Sequence, residues 1–265
     1  MKSKVKLAPD QKIIVYYFSG TGNTQIIAKK IVETFNSKGF TATLINIENV
    51  TTISIGNSDV IGIGFPIAGF STYPIVFDFL QKIDTVHGNY AFAFDTMGGT
   101  SLWGIMGKLK TILANKGFRT LGFEEFKMPP NLFVKFPENS RRTRVEKGLR
   151  RAEDFVNNLI AGDLSWNRIP IVSEVMYRLS HALFSITEYK WHQKILKMKV
   201  DTTKCNACGI CSSKCPVKNI IVQEKAVIGD HCQYCFRCVG VCPSKAISGI
   251  ASPRSLHYLA EGAQF

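Results

Sequence analysis

Cysteine is absent from residues 1–204 and from 243–265 of this 265-residue chain. Disulfides therefore cannot hold the larger part together, and a hydrophobic core must do so; at 45% hydrophobic residues the material for one is present. No apolar run of about 18 residues occurs, so no membrane-spanning helix is expected. Lys2, Lys4 and Lys6 are followed by no hydrophobic stretch, so no secretory signal is expected. Histidine is scarce, and its five copies form no ligand motif. There is no Gly-Lys-Ser/Thr phosphate loop and no G-x-G-x-x-G fingerprint, which argues against a Walker NTPase or a dinucleotide fold. Acidic residues are few, 20 against 33 Lys and Arg, giving a formal charge of +13. No recognition motif or basic arm with interleaved aromatics accompanies that charge, so nucleic acid is not an expected partner.

What is present is concentrated at 205–243. Cys205, Cys208, Cys211 and Cys215 precede Pro216, and Cys232, Cys235, Cys238 and Cys242 precede Pro243. Both halves read C-x2-C-x2-C-x3-C-P, and each cysteine recurs 27 residues later. Disulfides and zinc compete as explanations. The regular spacing and missing signal speak against the first, and eight cysteines with two prolines against the second. The run resembles that of the two-cluster bacterial ferredoxins over residues 198–250. Three cysteines at two-residue gaps wrap one [4Fe–4S] cluster, and the proline steers the fourth towards the other site. The expected ligand sets are Cys205, Cys208, Cys211 and Cys242 for one cluster, and Cys232, Cys235, Cys238 and Cys215 for the other. Such thiolates call for a reducing, cytoplasmic setting, and an anaerobic or microaerobic host is expected.

Upstream, residues 12–19 (KIIVYYFS) read as a buried parallel strand running into Ser19, Gly20, Thr21, Gly22, Asn23 and Thr24. Apolar residues at helical spacing follow, to a stop near Lys38 and Gly39. A hydroxyl-rich glycine loop opening a helix can hold a phosphate, through amide and hydroxyl donors and the positive helix end. Residues 41–47, 59–65, 89–95 and 119–127 read as further strands. Segments 73–82, 102–116 and 141–160 read as helices. Five βα units predict an α/β, doubly wound parallel five-stranded sheet in the order 2-1-3-4-5.

The loop Ser19, Thr21, Gly22, Asn23, Thr24 resembles the S/T-x-T-G-N-T loop by which flavodoxins grip the phosphate of FMN. That resemblance implies ring-binding loops after the third and fourth strands: Phe65, Pro66, Ile67, Ala68, Gly69 and Phe70, then Thr96, Met97, Gly98 and Gly99. Phe65, Phe70 and Trp103 are the candidate stacking aromatics, and Phe65 reads equally well as core. Ala68 is small where many relatives carry an aromatic, so one ring face is open to solvent, a second domain or a substrate. Asp95 reads as a turn former.

Residues 163–198 form a connector with an amphipathic, basic helical pattern and no glycine. It is expected to clamp the two modules together rather than lie on a membrane surface. The expected division is a flavodoxin-like domain at 10–162, the connector, a small α+β two-cluster ferredoxin domain at 199–250, and a surface or disordered tail at 251–265. The whole chain resembles the flavodoxin–ferredoxin fusion proteins, sometimes called EFR-type ferredoxins. The resemblance implies FMN, two [4Fe–4S] clusters and electron transfer coupling one- and two-electron steps. The alternative is an FMN-dependent reductase of a small substrate, fed through the clusters; no catalytic residue is visible for it. Two clusters at about −2 each and a flavin phosphate at about −2 bring the net charge to about +7. Acidic redox proteins, a ferredoxin or an oxidoreductase, are the expected partners. The oligomeric state is open.

Overall fold

A computed structural model describes residues 5–68, 71–99, 105–131, 136–166, 175, 178–179, 197–249 and 257–265. Five strands form one sheet: β1 (Lys12–Tyr17), β2 (Thr41–Asn46), β3 (Val60–Pro66), β4 (Tyr90–Met97) and β5 (Arg119–Lys127). All neighbours run parallel, in the order β2-β1-β3-β4-β5. Between them lie α1 (Asn23–Ser37), α2 (Pro74–Lys82) and α3 (Met106–Asn115), and α4 (Glu138–Ala161) follows β5.

Strands buried on both faces need two cores, and the alternation of their residues supplies them. Ile13, Val15, Phe92, Phe94 and Phe126 pack beneath α1 and α4. Ile61, Ile63, Phe65, Ala91 and Ala93 pack with α2 and α3 on the opposite face. In β3, Gly62 and Gly64 leave room for rings from β4: a Cβ would stand 2.4 Å from the Phe92 ring and 2.2 Å from the Phe94 ring. Those rings join Phe35, Phe126 and Phe155 in a chain of contacts at 5.9–6.0 Å.

The element ends differ slightly from expectation, for local reasons. β2 stops at Asn46 because its side chain accepts the Glu48 amide and opens a 3₁₀ turn, Ile47–Asn49. Helix α4 begins three residues before 141, where Glu138 favours the helix N-terminus and pairs with Arg141. Of the connector, residues 163–166, 175, 178–179 and 197–198 are described; Trp166 and Met198 are buried, and Val175, Arg178 and Leu179 are helical and exposed.

The cysteine-rich segment makes two small antiparallel pairs. β6 (Lys199–Val200) pairs with β9 (Ile247–Ser248), and β7 (Ile220–Val222) with β8 (Ala226–Ile228). One short helix, α5 (Ile210–Ser213), contains the third cysteine, Cys211; the other, α6 (Arg237–Val241), contains its counterpart Cys238 in the second half. The backbone repeats as the sequence does. Ala207 and Tyr234, Gly209 and Phe236, and Lys218 and Lys245 all have positive φ, each pair 27 residues apart. Among the described residues, every non-glycine residue with positive φ belongs to this segment. Left-handed backbone costs about 1–3 kcal/mol per residue and persists where surroundings impose it, typically at binding sites.

Candidate functional site

The phosphate-loop candidate sits at the carboxyl end of β1. Gly22 caps α1 with φ 98° and donates its amide to Ser19 Oγ (3.1 Å). The first turn of α1 has no capping side chain and no acidic residue. Its amides therefore keep their donor capacity at the positive helix end. Thr21 Oγ1 accepts from Asn131 Nδ2 (3.1 Å), and the hydroxyls of Thr24 and Thr96 share a hydrogen bond (2.8 Å). With their acceptor sides engaged, Ser19 and Thr21 retain O–H protons to give. These donors face a cleft lined by Ser19, Gly20, Thr21, Asn23 and Thr24, by Pro66, Ile67 and Tyr73, by Thr96, Met97 and Gly98, and by Pro129 and Asn131. A donor-rich, acid-free cradle opening between strand ends fits a flavin phosphate and ring.

Four of the expected residues do not line the cleft, the first being Gly22, whose α-carbon faces Ala260 and Ala263. Phe65 is fully buried in the core, so its side chain packs rather than lining the cleft. Ala68 forms a small bridge with Ser71, and Gly99 has open space around it. Gly69 and Phe70 lie outside the described residues, as does Trp103. Asp95 lies within β4 rather than in a turn. It is 1% exposed, and neither carboxylate oxygen has a hydrogen-bond partner. Burial first, then Glu125 and Glu124, push its pKa well above the ordinary 3.8 and favour the protonated form.

The eight cysteines ring two cavities. One is lined by Cys205, Cys208, Cys211 and Cys242, the other by Cys215, Cys232, Cys235 and Cys238. Each therefore takes three cysteines from one half and one from the other. Backbone amides point at the sulfurs: Ala226 to Cys205 (3.5 Å), Asn219 to Cys215 (3.3 Å), Tyr234 to Cys232 (3.4 Å) and Ala246 to Cys242 (3.3 Å). Such donors favour thiolate, and those from Ala226 and Ala207 lower the Cys205 pKa. Burial works the other way in the second cavity, raising Cys238 strongly and Cys235 to about 11. Filling that cavity with metal must release protons. Four sulfurs around a cavity, with amides turned inwards, fit a cubane cluster.

Comparison with known families agrees with both halves. Residues 15–143 match the flavodoxin family model, and residues 197–243 match a 4Fe-4S dicluster domain. The chain is a flavodoxin–ferredoxin fusion. The flavodoxin match implies FMN and the dicluster match implies iron–sulfur clusters; together they support an iron–sulfur flavin electron-transfer protein. An uncharacterized protein of Methanocaldococcus jannaschii is 30% identical over 153 residues, 56% of the fusion and 97% of that relative. A second uncharacterized protein of the same organism is 41% identical over 54 residues, 20% of the fusion and 21% of that relative. The chain thus spans nearly all of one relative and about a fifth of the other. A flavodoxin from the domain Archaea covers 56% of the fusion and 99% of itself, at 16% identity and TM-score 0.41.

The two modules of the fusion meet at the loop 19–24. A Cβ on Gly20 would stand 2.3 Å from the Cys235 carbonyl oxygen. Tyr73, which lines the cleft and packs on Phe18 at 5.5 Å, has its pKa raised by burial and then by Cys235 and Cys232. Gln233 Oε1 accepts the Ile75 amide in the first turn of α2 (3.2 Å). Arg237 reaches back from α6 to Glu48 and to the carbonyls of Ser19 and Gly20.

The tail also departs from expectation. Residues 257–265 pack into the structure rather than lying loose on its surface. His257 Nε2 donates to the Cys242 carbonyl (2.9 Å) and Tyr258 OH to Asn23 Oδ1 (2.7 Å). The Ala260 amide bonds the Thr21 carbonyl (2.8 Å), and the Gln264 amide bonds Gln25 Oε1 (2.7 Å). Ala260 and Ala263 crowd Gly22 so closely that a Cβ there would lie 2.4 Å from Ala263. Tyr73, Pro129, Asn131 and Arg237 escaped the sequence reading.

Proposed function

We propose that the fusion relays electrons between two [4Fe–4S] clusters and FMN inside one chain, converting between single and paired electrons. When bound, the clusters exchange electrons singly and the flavin takes one or two. The protein's task is to hold them close and apart from water. Cys205, Cys208, Cys211 and Cys242 hold one cluster, and Cys215, Cys232, Cys235 and Cys238 hold the other. The loop 19–24 holds the flavin phosphate, while Pro66, Ile67, Met97 and Gly98 border the ring. Cys208 is the exposed cysteine, so the first cavity faces the partner. We take the partner to be an acidic redox protein of a reducing cytoplasm. No helix among the described residues is long and apolar enough to cross a membrane.

The observation carrying this reading is the contact of Gly20 with the Cys235 carbonyl, where a single added carbon has no room. It puts the second cysteine cavity against the wall of the flavin cleft, and electron tunnelling falls steeply with distance. The test is anaerobic single-electron reduction of the reconstituted protein, followed by optical and EPR spectroscopy. Electrons given to the clusters are expected to reach the flavin at a rate independent of protein concentration. Transfer only between molecules would overturn the relay. Turnover of a small substrate without any acceptor protein would favour a reductase instead.

A further inference from the structure

Arg237 is 2% exposed and lies between two cysteines of the second cavity. Its amide donates to the Cys235 sulfur, while its side chain leaves the iron–sulfur module altogether. A guanidinium has five N–H donors, and all five are engaged. Nη1 bonds Glu48 Oε2 (2.6 Å) and the Lys214 carbonyl (3.1 Å). Nη2 bonds Glu48 Oε1 (2.5 Å) and the Ser19 carbonyl (2.6 Å). Nε bonds the Gly20 carbonyl (3.4 Å). The group lies 4.3 Å from the Phe265 ring centroid. Glu48 orients the fork in two-pronged fashion, and its own place is fixed by the Asn46-capped turn after β2.

The chemistry of the loop explains the need. A phosphate is recognised by N–H and O–H groups, and a carbonyl turned towards it repels it. Ser19 and Gly20 carry the two carbonyls that a peptide flip would aim into the cleft. Arg237 takes both from behind. We propose that Arg237 is a positioning residue for the flavin phosphate, supplied by the cluster-binding loop: it holds these carbonyls away from the cleft and so keeps the amides facing in. This rests on the flavin reading above. It makes phosphate recognition by the first module depend on a side chain of the second. Lysine cannot replace it, because three donors on one nitrogen cannot span Glu48 and two loop carbonyls.

The test uses the full chain with clusters retained and flavin removed, titrated with FMN and with riboflavin by flavin fluorescence. Arg237→Lys is expected to weaken FMN about tenfold or more while riboflavin, which lacks the phosphate, changes by less than about twofold. Glu48→Gln, which leaves the guanidinium in place but loosens it, is expected to show the same FMN-selective loss to a smaller degree. It decides the matter if the lysine variant does not fold. Unchanged FMN affinity, or equal loss of both flavins, overturns the proposal. If the unaltered protein binds neither flavin, the flavin reading itself fails, whatever the variants do.

Discussion

Replacing Gly20 by alanine probes the seam between the modules with one carbon. The added Cβ would lie 2.3 Å from the Cys235 carbonyl oxygen and 3.2 Å from the Cys235 Cβ. Real Cβ contacts start at 3.0 Å, so the seam must open by at least 3.0 − 2.3 = 0.7 Å. Neither partner can swing aside, because one is phosphate-loop backbone and the other is backbone between two cysteines. Overpacking of this kind costs about 1–3 kcal/mol. At about 2–4 °C per kcal/mol, the apparent Tm should fall by roughly 2–12 °C. Gly20 lacks the positive φ that would itself forbid alanine. In open space the same change would therefore stabilise by about 0.4–1 kcal/mol through the unfolded chain, so the sign is diagnostic. Thermal unfolding of Gly20→Ala at matched iron and FMN content, with the rate of electron transfer between the centres, reads both consequences. A fall in Tm with slower transfer is expected. An unchanged or raised Tm with unchanged transfer would refute the seam.

Further changes address other parts of the structure. Gly64→Ala drives a carbon to 2.2 Å from the Phe94 ring and should destabilise the sheet by about 1–3 kcal/mol, read from denaturant midpoints. Cys242→Ala and Cys215→Ala should each remove about half the iron, and their EPR spectra should lose complementary signals; loss of the same signal by both would break the proposed crossing of ligands. Asp95 keeps its proton in the fold, whereas unfolded it ionises above its ordinary 3.8. The native state then binds more protons, so its stability falls as pH rises from 3.8 towards the raised folded value. Asp95→Asn mimics the neutral acid, and should flatten that slope and gain stability near neutral pH; a denaturation series against pH checks it. Arg237→Lys should cost FMN affinity selectively, as described above.

The sheet was legible because β1, β3 and β4 are built on apolar runs ended by glycine, proline or hydroxyl clusters, while β2 alternates. The cysteine pattern was legible because ligand spacing is a local property. What escaped was long-range. Phe65 ends a strand beside a flavin loop, and sequence could not say which face it takes; the alternation of β3 sends it to the α2 and α3 side. Arg237 looks like any cation between cysteines, and its meaning depends on Glu48, 189 residues away. Tyr73 and Asn131 join the cleft only once the strand ends are brought together. The tail has no periodicity, since its role is carried by single hydrogen bonds.

Those hydrogen bonds have a consequence for biosynthesis. Tyr258 meets a partner 235 residues earlier, and Gln264 one 239 residues earlier. A ribosome would expose the entire flavodoxin-like half, free to fold, long before it made either residue. That half would emerge with its anion cradle unbraced from behind. Tight capture of the proposed flavin is then expected only after residues 257–265 have been made.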